Sequence, residues 1–355
     1  MGSARGKRTL KQTVRWVTAA SCLLVLVACT SRDTAMRAAP DPSGSIQPVY
    51  VATTRALDRT GPVFGEARPT RLNYFRVDVS VPPTHEVGQI EWARGTPDAR
   101  TDFVVTDTQV FDGASDMARR VQRSTPGRET LVFIHGYNNT LSEAMYRLAQ
   151  IRTDFNDRNP AVLFSWPSAG DPRGYVYDRD SVLFARDDLE TVLQALTAAP
   201  GEKVFLMAHS VGSHLTMEVL RQAALRGDRR LLSRINGVVL MSPDIDPDLF
   251  RRQAEAIGKL PQPFIIFTSE QDRALGISAL LSGRKPRLGV VNSPENVEGL
   301  DVKVVDFSEV SDGKGMNHIV PVTSPSAVSL LKGLISQSER EGHWMSDFIV
   351  LHKQP

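Results

Sequence analysis

The chain has 355 residues, of which 41% are hydrophobic and 23% charged, so it can bury a substantial core and lacks the composition of a disordered protein. Removing the five basic residues of the first 28 positions from the 42 Lys and Arg leaves 37, against 40 Asp and Glu. The remaining arginines are interleaved with acids and form no basic stripe, which argues against a nucleic-acid partner.

The first 28 residues have the pattern of a secretory signal peptide. Basic residues from Arg5 to Arg15 precede an apolar run from Val17 to Ala28. This run is only about a dozen residues long, whereas a helix needs roughly 20 to span a bilayer. We therefore expect residues 1–28 to be removed as a signal rather than retained as a transmembrane helix.

The last three residues of the signal and the residue after them, Leu26-Val-Ala-Cys29, resemble a bacterial lipobox. They predict a membrane anchor through lipid, such as palmitate, on Cys29, with residues 29–46 as a flexible tether. The predicted location is the bacterial cell envelope outside the cytoplasm, and Thr30 favours the outer membrane. Of the two cysteines, Cys22 leaves with the signal and Cys29 carries the lipid, so we expect no disulfide. We also expect no metal site and no cofactor.

The region before residue 115 contains three strand-like runs, at 48–54, 72–81 and 103–111. They are separated by turns rich in Gly, Pro and Asp. We expect them to form antiparallel strands that open the same sheet as the rest of the chain.

From about residue 130 onward, short apolar runs alternate with helical patterns. The predicted strands are 130–135, 161–166, 203–209, 235–241, 263–268 and 302–307, and the predicted helices are 141–157, 181–198, 211–226, 247–257, 274–282 and 325–337. Such alternation predicts an α/β fold with a doubly wound, mainly parallel sheet. Residues 47–338 are expected to form a single domain and residues 339–355 a C-terminal tail.

The predicted strand at 130–135 ends in His135-Gly136-Tyr137. Gly136 allows the backbone to approach a substrate closely. At this position the backbone N–H of Tyr137 is a candidate donor to an oxyanion, although His135-Gly136 also fits an ordinary turn.

A second apolar strand runs into Ala208-His-Ser210-Val211-Gly212 and then a helix. A sharp strand-to-helix turn around a nucleophilic serine needs small residues two before and two after it, and Ala208 and Gly212 satisfy this. Ser210 is therefore the candidate nucleophile, and the N–H of Val211 is the second candidate oxyanion donor.

A serine nucleophile needs a general base and an acid that orients it, in the chain order Ser, Asp or Glu, His for this fold. His318 lies in a Gly-containing loop between the last predicted strand and the last predicted helix, and is the candidate base. Asp272, after the penultimate strand, is the favoured acid. Asp244, after the preceding strand, is the alternative.

The sequence resembles the bacterial α/β-hydrolase family, including lipoproteins, that is catalogued as domain of unknown function number nine hundred. The segments that carry the resemblance are Val49 to Arg55, His135 to Asn139, Phe164 to Ser168, Ala208 to Ser210, Ser242 to Asp246 and Ser269 to Leu275. The resemblance implies the α/β-hydrolase fold and a Ser/Asp/His site, and it implies no substrate. Asn317-His318 stands where a Gly-His pair is more typical.

Further residues near these strand ends are candidates for lining a substrate pocket, since ligands of open α/β sheets bind beyond the carboxyl ends of strands. They are His135, Gly136, Asn138, Trp166, Tyr175, Tyr177 and Asp178. For Trp166 and the two tyrosines, packing in the core or at the surface is an equal alternative.

The sequence leaves three functions open. The favoured one is a carboxylic-ester hydrolase, similar to esterases and lipases, that acts on a small-molecule or lipid ester through an acyl-enzyme. The alternatives are an acyltransferase with the same triad and a catalytically silent binding lipoprotein. Fold alone does not separate them.

Overall fold

In the computed structural model of the chain, the described residues are 33–58, 63–69, 71–291, 293–310, 315–341 and 348–351. The predicted signal peptide and the predicted lipidation site at Cys29 lie outside these ranges. Ala35–Pro355 form one compact unit. Within the described part of the chain, no helix has the length and apolar character needed to cross a membrane.

A ten-stranded sheet forms the centre of the molecule, with the strand order β12-β11-β10-β9-β8-β6-β7-β1-β4-β5. Its strands are β1 (Ser45–Thr53), β4 (Asn73–Val81), β5 (Val104–Phe111), β6 (Thr130–Ile134), β7 (Ala161–Ser165), β8 (Val204–His209), β9 (Ile235–Met241), β10 (Phe264–Thr268), β11 (Lys303–Asp306) and β12 (Phe348–Val350). A separate hairpin pairs β2 (Leu57–Asp58) with β3 (Val63–Phe64).

The sheet is mostly parallel. Neighbouring strands from β7 through β12 run parallel, and β1 joins β7 in parallel with Tyr50 opposite Val162. The N-terminal strands β1, β4 and β5 pair with one another in antiparallel fashion. This confirms the predicted doubly wound sheet with antiparallel strands at its N-terminal side.

Helices cover both faces of the sheet. They are α1 (Ala114–Ser124), α2 (Leu141–Asp154), α3 (Tyr175–Phe184), α4 (Arg186–Leu196), α5 (Val211–Leu225), α6 (Arg229–Arg234), α7 (Pro247–Ile257), α8 (Arg273–Leu281), α9 (Val320–Thr323) and α10 (Pro325–Glu341). The buried side chains of α1 and of α3 to α7 share one apolar core, and those of α2, α9 and α10 share the core on the opposite face.

Alternation along the strands divides the apolar residues between these two cores. In β1, Tyr50 and Ala52 belong to one core and Val49 and Val51 to the other, because successive side chains of a strand point to opposite faces. Burial on both faces explains why the central strands are apolar runs whose polar residues lie at or next to the strand ends.

Helix caps follow the local sequence. Thr140 and Glu143 form the reciprocal hydrogen bonds of a capping box at the start of α2. Asp246 accepts hydrogen bonds from the amides of Asp248 and Leu249, and Pro247 is the first residue of α7. Both helix starts agree with the sequence pattern.

Three regions differ from the sequence-based expectations. The predicted helix at 181–198 is two helices, α3 and α4, and the first starts at Tyr175 inside the expected loop. Residues of the expected tether pair with the sheet, because Met36 and Ala38 exchange backbone hydrogen bonds with Val105. Within the expected C-terminal tail, β12 pairs with β11.

Candidate active site

Ser210 lies at the sharp turn between β8 and α5, in a strained backbone conformation with φ 54° and ψ −123°. Positive φ is uncommon for a residue with a side chain and persists only where the surroundings enforce it. Here the Ser210 amide donates to the Met241 carbonyl at 2.9 Å, and its carbonyl accepts from the Asp244 amide at 3.2 Å. The end of β9 therefore holds the turn that presents the Ser210 side chain.

Gly212 allows α5 to start directly against β6. A Cβ atom at position 212 would lie 2.3 Å from the carbonyl oxygen of His135 and 2.8 Å from that of Ile134. No side chain fits there without moving the backbone of one element. The requirement for a small residue two positions after Ser210, expected from the sequence, thus has a specific steric cause.

The loop after β6 passes directly over Ser210. A Cβ atom at Gly136 would lie 2.9 Å from Cβ of Ser210 and 2.5 Å from Nδ1 of His209. The glycine permits this close approach, and the structure brings the two predicted oxyanion loops together at Ser210.

Arg55 holds the loop that follows Gly136. Its buried guanidinium donates from Nη2 to the Asn139 carbonyl at 2.7 Å, from Nη1 to the Ser168 carbonyl at 2.9 Å, and from Nε to Ser165 Oγ at 3.1 Å. Burial lowers the pKa of Arg55 to about 10, and the Asp178 carboxylate opposes that shift. The side chain remains a cation at neutral pH.

Asp178 supports the same loop from α3. Its Oδ2 accepts from the Asn138 amide at 3.0 Å and from the Ser168 hydroxyl at 2.6 Å, while Oδ1 accepts from the Ala169 amide at 2.7 Å. Burial raises the pKa of this carboxyl, and these hydrogen bonds and Arg55 oppose the shift. Asp178 therefore orders two loops and does not line a pocket, contrary to the sequence-based expectation.

His318 and Asp272 form a hydrogen-bonded pair. His318 Nδ1 lies 2.7 Å from Asp272 Oδ2, and the Asp272 side chain is fully buried. The His318 ring centroid lies 4.6 Å from that of His209, the residue before Ser210. Burial and the neighbouring His318 lower the pKa of His209 well below its ordinary value, so His209 stays neutral.

Asp244, the alternative acid, has other partners. Its carboxylate accepts from the hydroxyls of Tyr175 at 3.0 Å and Ser278 at 2.7 Å, and it forms a buried ion pair with Arg287 at 3.1 Å. Tyr175 is thus engaged in this cluster rather than exposed in a pocket. The sequence pattern does not predict the burial of Arg55 and Arg287, because long charged side chains are usually exposed.

His135 and Trp166 lie behind the site as packing residues, contrary to the pocket expectation. Their rings stack at 4.8 Å, and the Trp166 indole donates to the His135 carbonyl at 2.8 Å. His135 Nε2 also lies 3.2 Å from Ser165 Oγ, which forms a second Ser–His pair. Both members of that pair are buried, Arg55 already donates to the serine, and burial with the nearby Arg55 charge lowers the pKa of His135 to about 3. With its pKa lowered this far, His135 is too weak a base to activate the serine.

The remaining pocket candidates are Asn138 and Tyr177. Asn138 adopts a left-handed conformation with φ 58° in the loop held by Asp178. The Tyr177 hydroxyl donates to the Glu66 carbonyl at 2.7 Å, and the Arg68 guanidinium lies 4.2 Å from the Tyr177 ring centroid. Tyr177 thus fixes the segment after β3. Among the described residues, no cluster of His, Cys, Asp and Glu has the arrangement of a metal site.

Solved structures to which the chain shows similarity include three hydrolytic enzymes. They are a dienelactone hydrolase from Anabaena variabilis (14% identity, TM-score 0.37, covering 76% of this chain and 92% of that one), a monoacylglycerol lipase from Paleococcus ferrophilus (17%, 0.37, 60% and 95%) and an esterase from Pyrobaculum calidifontis (14%, 0.36, 93% and 93%). No curated protein matches the chain. Residues 112–337 match a family model, and the chain belongs to that family, the alpha/beta hydrolases of unknown function (DUF900).

Proposed function

We propose that the protein is a serine hydrolase that cleaves carboxylic esters through an acyl-enzyme on Ser210. The observations that support this proposal are the hydrogen-bonded His318–Asp272 pair, the packing of His318 against His209, and the strained, loop-covered serine that follows His209. A strained serine at the start of a helix and an imidazole held by a buried carboxylate are the two parts that nucleophilic acyl transfer requires.

In the first half of the reaction, Ser210 Oγ attacks the ester carbonyl carbon while His318 Nε2 takes the hydroxyl proton. Asp272 holds Nδ1 of the imidazole and stabilises the imidazolium. The amides of Tyr137 and Val211 donate to the tetrahedral oxyanion. Collapse of the intermediate breaks the bond to the alcohol, which leaves with the proton from His318.

In the second half, water attacks the acyl carbon of the ester on Ser210, and His318 accepts its proton. The second tetrahedral intermediate releases the carboxylic acid and returns the proton to Ser210. A single histidine thus serves as base and acid in turn, and no additional titratable group is required.

Labelling with a fluorophosphonate, followed by an ester panel of increasing acyl length, tests this function. We expect labelling of the wild type and of Ser213→Ala, a buried serine of α5, but none of Ser210→Ala. Labelling that persists in Ser210→Ala, or an unlabelled and inactive wild type, contradicts the proposal.

We also propose that the protein is anchored to a bacterial envelope membrane by lipid on Cys29. The support is the order of basic, apolar and small-Cys elements at the start of the sequence. Metabolic incorporation of labelled palmitate into the wild type and its loss in Cys29→Ser are the expected results. Full-length protein with a free Cys29 thiol in native membranes contradicts the anchor.

A further inference from the structure

The helix that follows the triad acid turns an apolar face to solvent. In α8, the side chains of Ile277, Leu280 and Leu281 are 53%, 61% and 62% exposed. They are spaced i, i+3 and i+4, so they lie on one side of the helix. Leu275 and Ser278 on the other side are buried.

This arrangement is the reverse of an ordinary surface helix, whose solvent side is polar. In α7, which also packs on the sheet, Phe250 and Ala254 are buried while Arg252 and Glu255 are exposed. Clustered exposed aliphatic residues indicate a surface that contacts an apolar partner.

Cations border this apolar face. Arg273 starts α8, and Arg284 and Lys285 follow its end, and all three are exposed. Lys285 lies 3.4 Å from Asp248, with both side chains largely in solvent, so the pair leaves the lysine available. An apolar face flanked by Arg and Lys complements a bilayer with anionic headgroups, into which such helices insert their apolar side.

The face is connected to the candidate active site. Asp272 accepts from the Leu275 amide at 2.9 Å and so starts α8, while its other oxygen contacts His318. Ser278, on the buried side of α8, lies 2.6 Å from the Tyr175 hydroxyl. A surface that binds the exposed side of α8 therefore contacts the helix that Asp272 caps.

We propose that Ile277, Leu280 and Leu281, with Arg273, Arg284 and Lys285, form a docking face for an anionic phospholipid surface, and that esters presented in that surface are the substrate class. The substrate part of this inference rests on the proposed esterase function. The docking part does not depend on activity, so the two are separable by experiment.

The docking part is tested with an environment-sensitive thiol fluorophore at Leu280→Cys in the full chain, with Cys22 and Cys29 replaced by Ser. Val110→Cys in the same background is the control, because Val110 is 78% exposed on β5. With vesicles of phosphatidylcholine containing about 30% phosphatidylglycerol, we expect a blue shift and quenching by doxyl lipids at position 280 and neither at 110.

A separate variant tests how much the cations contribute to vesicle binding. Adding Arg284→Gln and Lys285→Gln to the labelled chain is expected to weaken insertion on the order of tenfold, because each cation near an anionic surface contributes separately. If the fluorophore at position 280 stays as exposed to water as the one at position 110, the docking face is wrong. A blue shift that rises with protein concentration without vesicles overturns it as well, since the face then binds a second copy of the chain.

The substrate part is tested with Leu280→Ser/Leu281→Ser, by comparing 4-methylumbelliferyl oleate in the same vesicles with the soluble 4-methylumbelliferyl acetate. We expect hydrolysis of the vesicle ester to fall on the order of tenfold while hydrolysis of the soluble ester is retained. An equal loss on both esters overturns the substrate assignment. If the label at position 280 inserts into vesicles but the wild type cleaves neither ester, the docking face is supported and the esterase function is contradicted.

Discussion

Asp272 uses its two carboxylate oxygens for different partners, since Oδ1 caps α8 and Oδ2 orients His318. Asparagine caps a helix about as well as aspartate but does not stabilise an imidazolium. We therefore expect Asp272→Asn to lose activity on the order of 10⁴-fold, with stability nearly unchanged. Ester hydrolysis and urea unfolding of the same preparation measure the two effects.

Asp244→Asn provides the matched comparison. It leaves the buried Arg287 without its ion-pair partner, and breaking a buried pair costs about 3 to 5 kcal/mol. We expect a clear loss of stability and a much smaller loss of turnover in the folded fraction. If Asp244→Asn loses turnover and Asp272→Asn loses stability instead, the acid that orients His318 is Asp244 and not Asp272.

Arg55 is expected to act on catalysis through the loop that it holds. Lysine retains the charge but lacks the fork that donates to Asn139, Ser168 and Ser165 together. Displacement of catalytic groups by about 1 Å costs on the order of 100-fold, so Arg55→Lys should lower kcat by that much with KM nearly unchanged.

The control for Arg55 is Arg68→Lys, because Arg68 stacks on Tyr177 outside this loop. Its kcat should stay close to that of the wild type. A rise in KM with constant kcat in Arg55→Lys assigns Arg55 to substrate binding instead of loop positioning.

At the residue scale, chain order and loop position predict Ser210, Asp272 and His318, and the structure brings Asp272 and His318 into contact. The same reasoning does not predict the roles of Asp178 and Arg287. Their positions are set by partners far away in sequence, because Asp178 contacts Asn138 and Arg287 contacts Asp244. No periodicity encodes such contacts.

At the scale of elements, the start of α5 against β6 depends on Gly212. A methyl group there would collide with the carbonyl of His135, the residue that follows β6 and starts the loop over Ser210. We expect Gly212→Ala to lower both stability and activity, despite the better helix propensity of alanine.

Gly333 in α10 is the control for this substitution, because a Cβ atom there meets nothing within 4 Å. Gly333→Ala should raise stability by about 0.5 to 1 kcal/mol, as expected for an exposed helix interior. Thermal unfolding of both variants measures the contrast. Equal effects at the two positions exclude the steric explanation.

Element starts are predicted best where a chemical signal marks them. Thr140 and Asp246 cap their helices as expected. The boundary between α3 and α4 at Ala185 is not predicted, because the sequence has neither Gly nor Pro there. The β12 strand is missed because three residues are too few to show a period.

At the scale of the whole molecule, alternation of strands and helices is sufficient to predict the parallel sheet. It does not predict that β1 lies between β7 and β4, because strand order depends on contacts between distant segments. The fold class is therefore predictable from the sequence, whereas the order of the N-terminal strands is known only from the structure.

Stability should depend on pH through His85, which bridges Glu91 at 2.9 Å and Asp154 at 3.0 Å. Burial alone lowers the pKa of His85, but the hydrogen bonds and charges of the two carboxylates raise it to about 9, above its ordinary value of 6.5. The folded state thus retains a proton that the unfolded chain releases between these values. The stabilisation is complete below pH 6.5 and is lost as the pH rises through 9.

Urea unfolding at pH 6.5 and pH 9 measures this dependence. We expect the free energy of unfolding to fall by about 1 to 3 kcal/mol in the wild type over this interval, with most of that slope absent in His85→Gln. An equal slope in both proteins assigns the pH dependence to other groups.

The pairing of Met36 and Ala38 with Val105 has a consequence for self-association. Among the described strands, β5 ends the sheet, and this pairing occupies the backbone groups of Val105 that would otherwise face solvent. An uncovered edge is a template for strand pairing between molecules. A chain that begins at residue 46 should therefore form concentration-dependent aggregates in light scattering, whereas a chain that begins at residue 33 should remain dispersed.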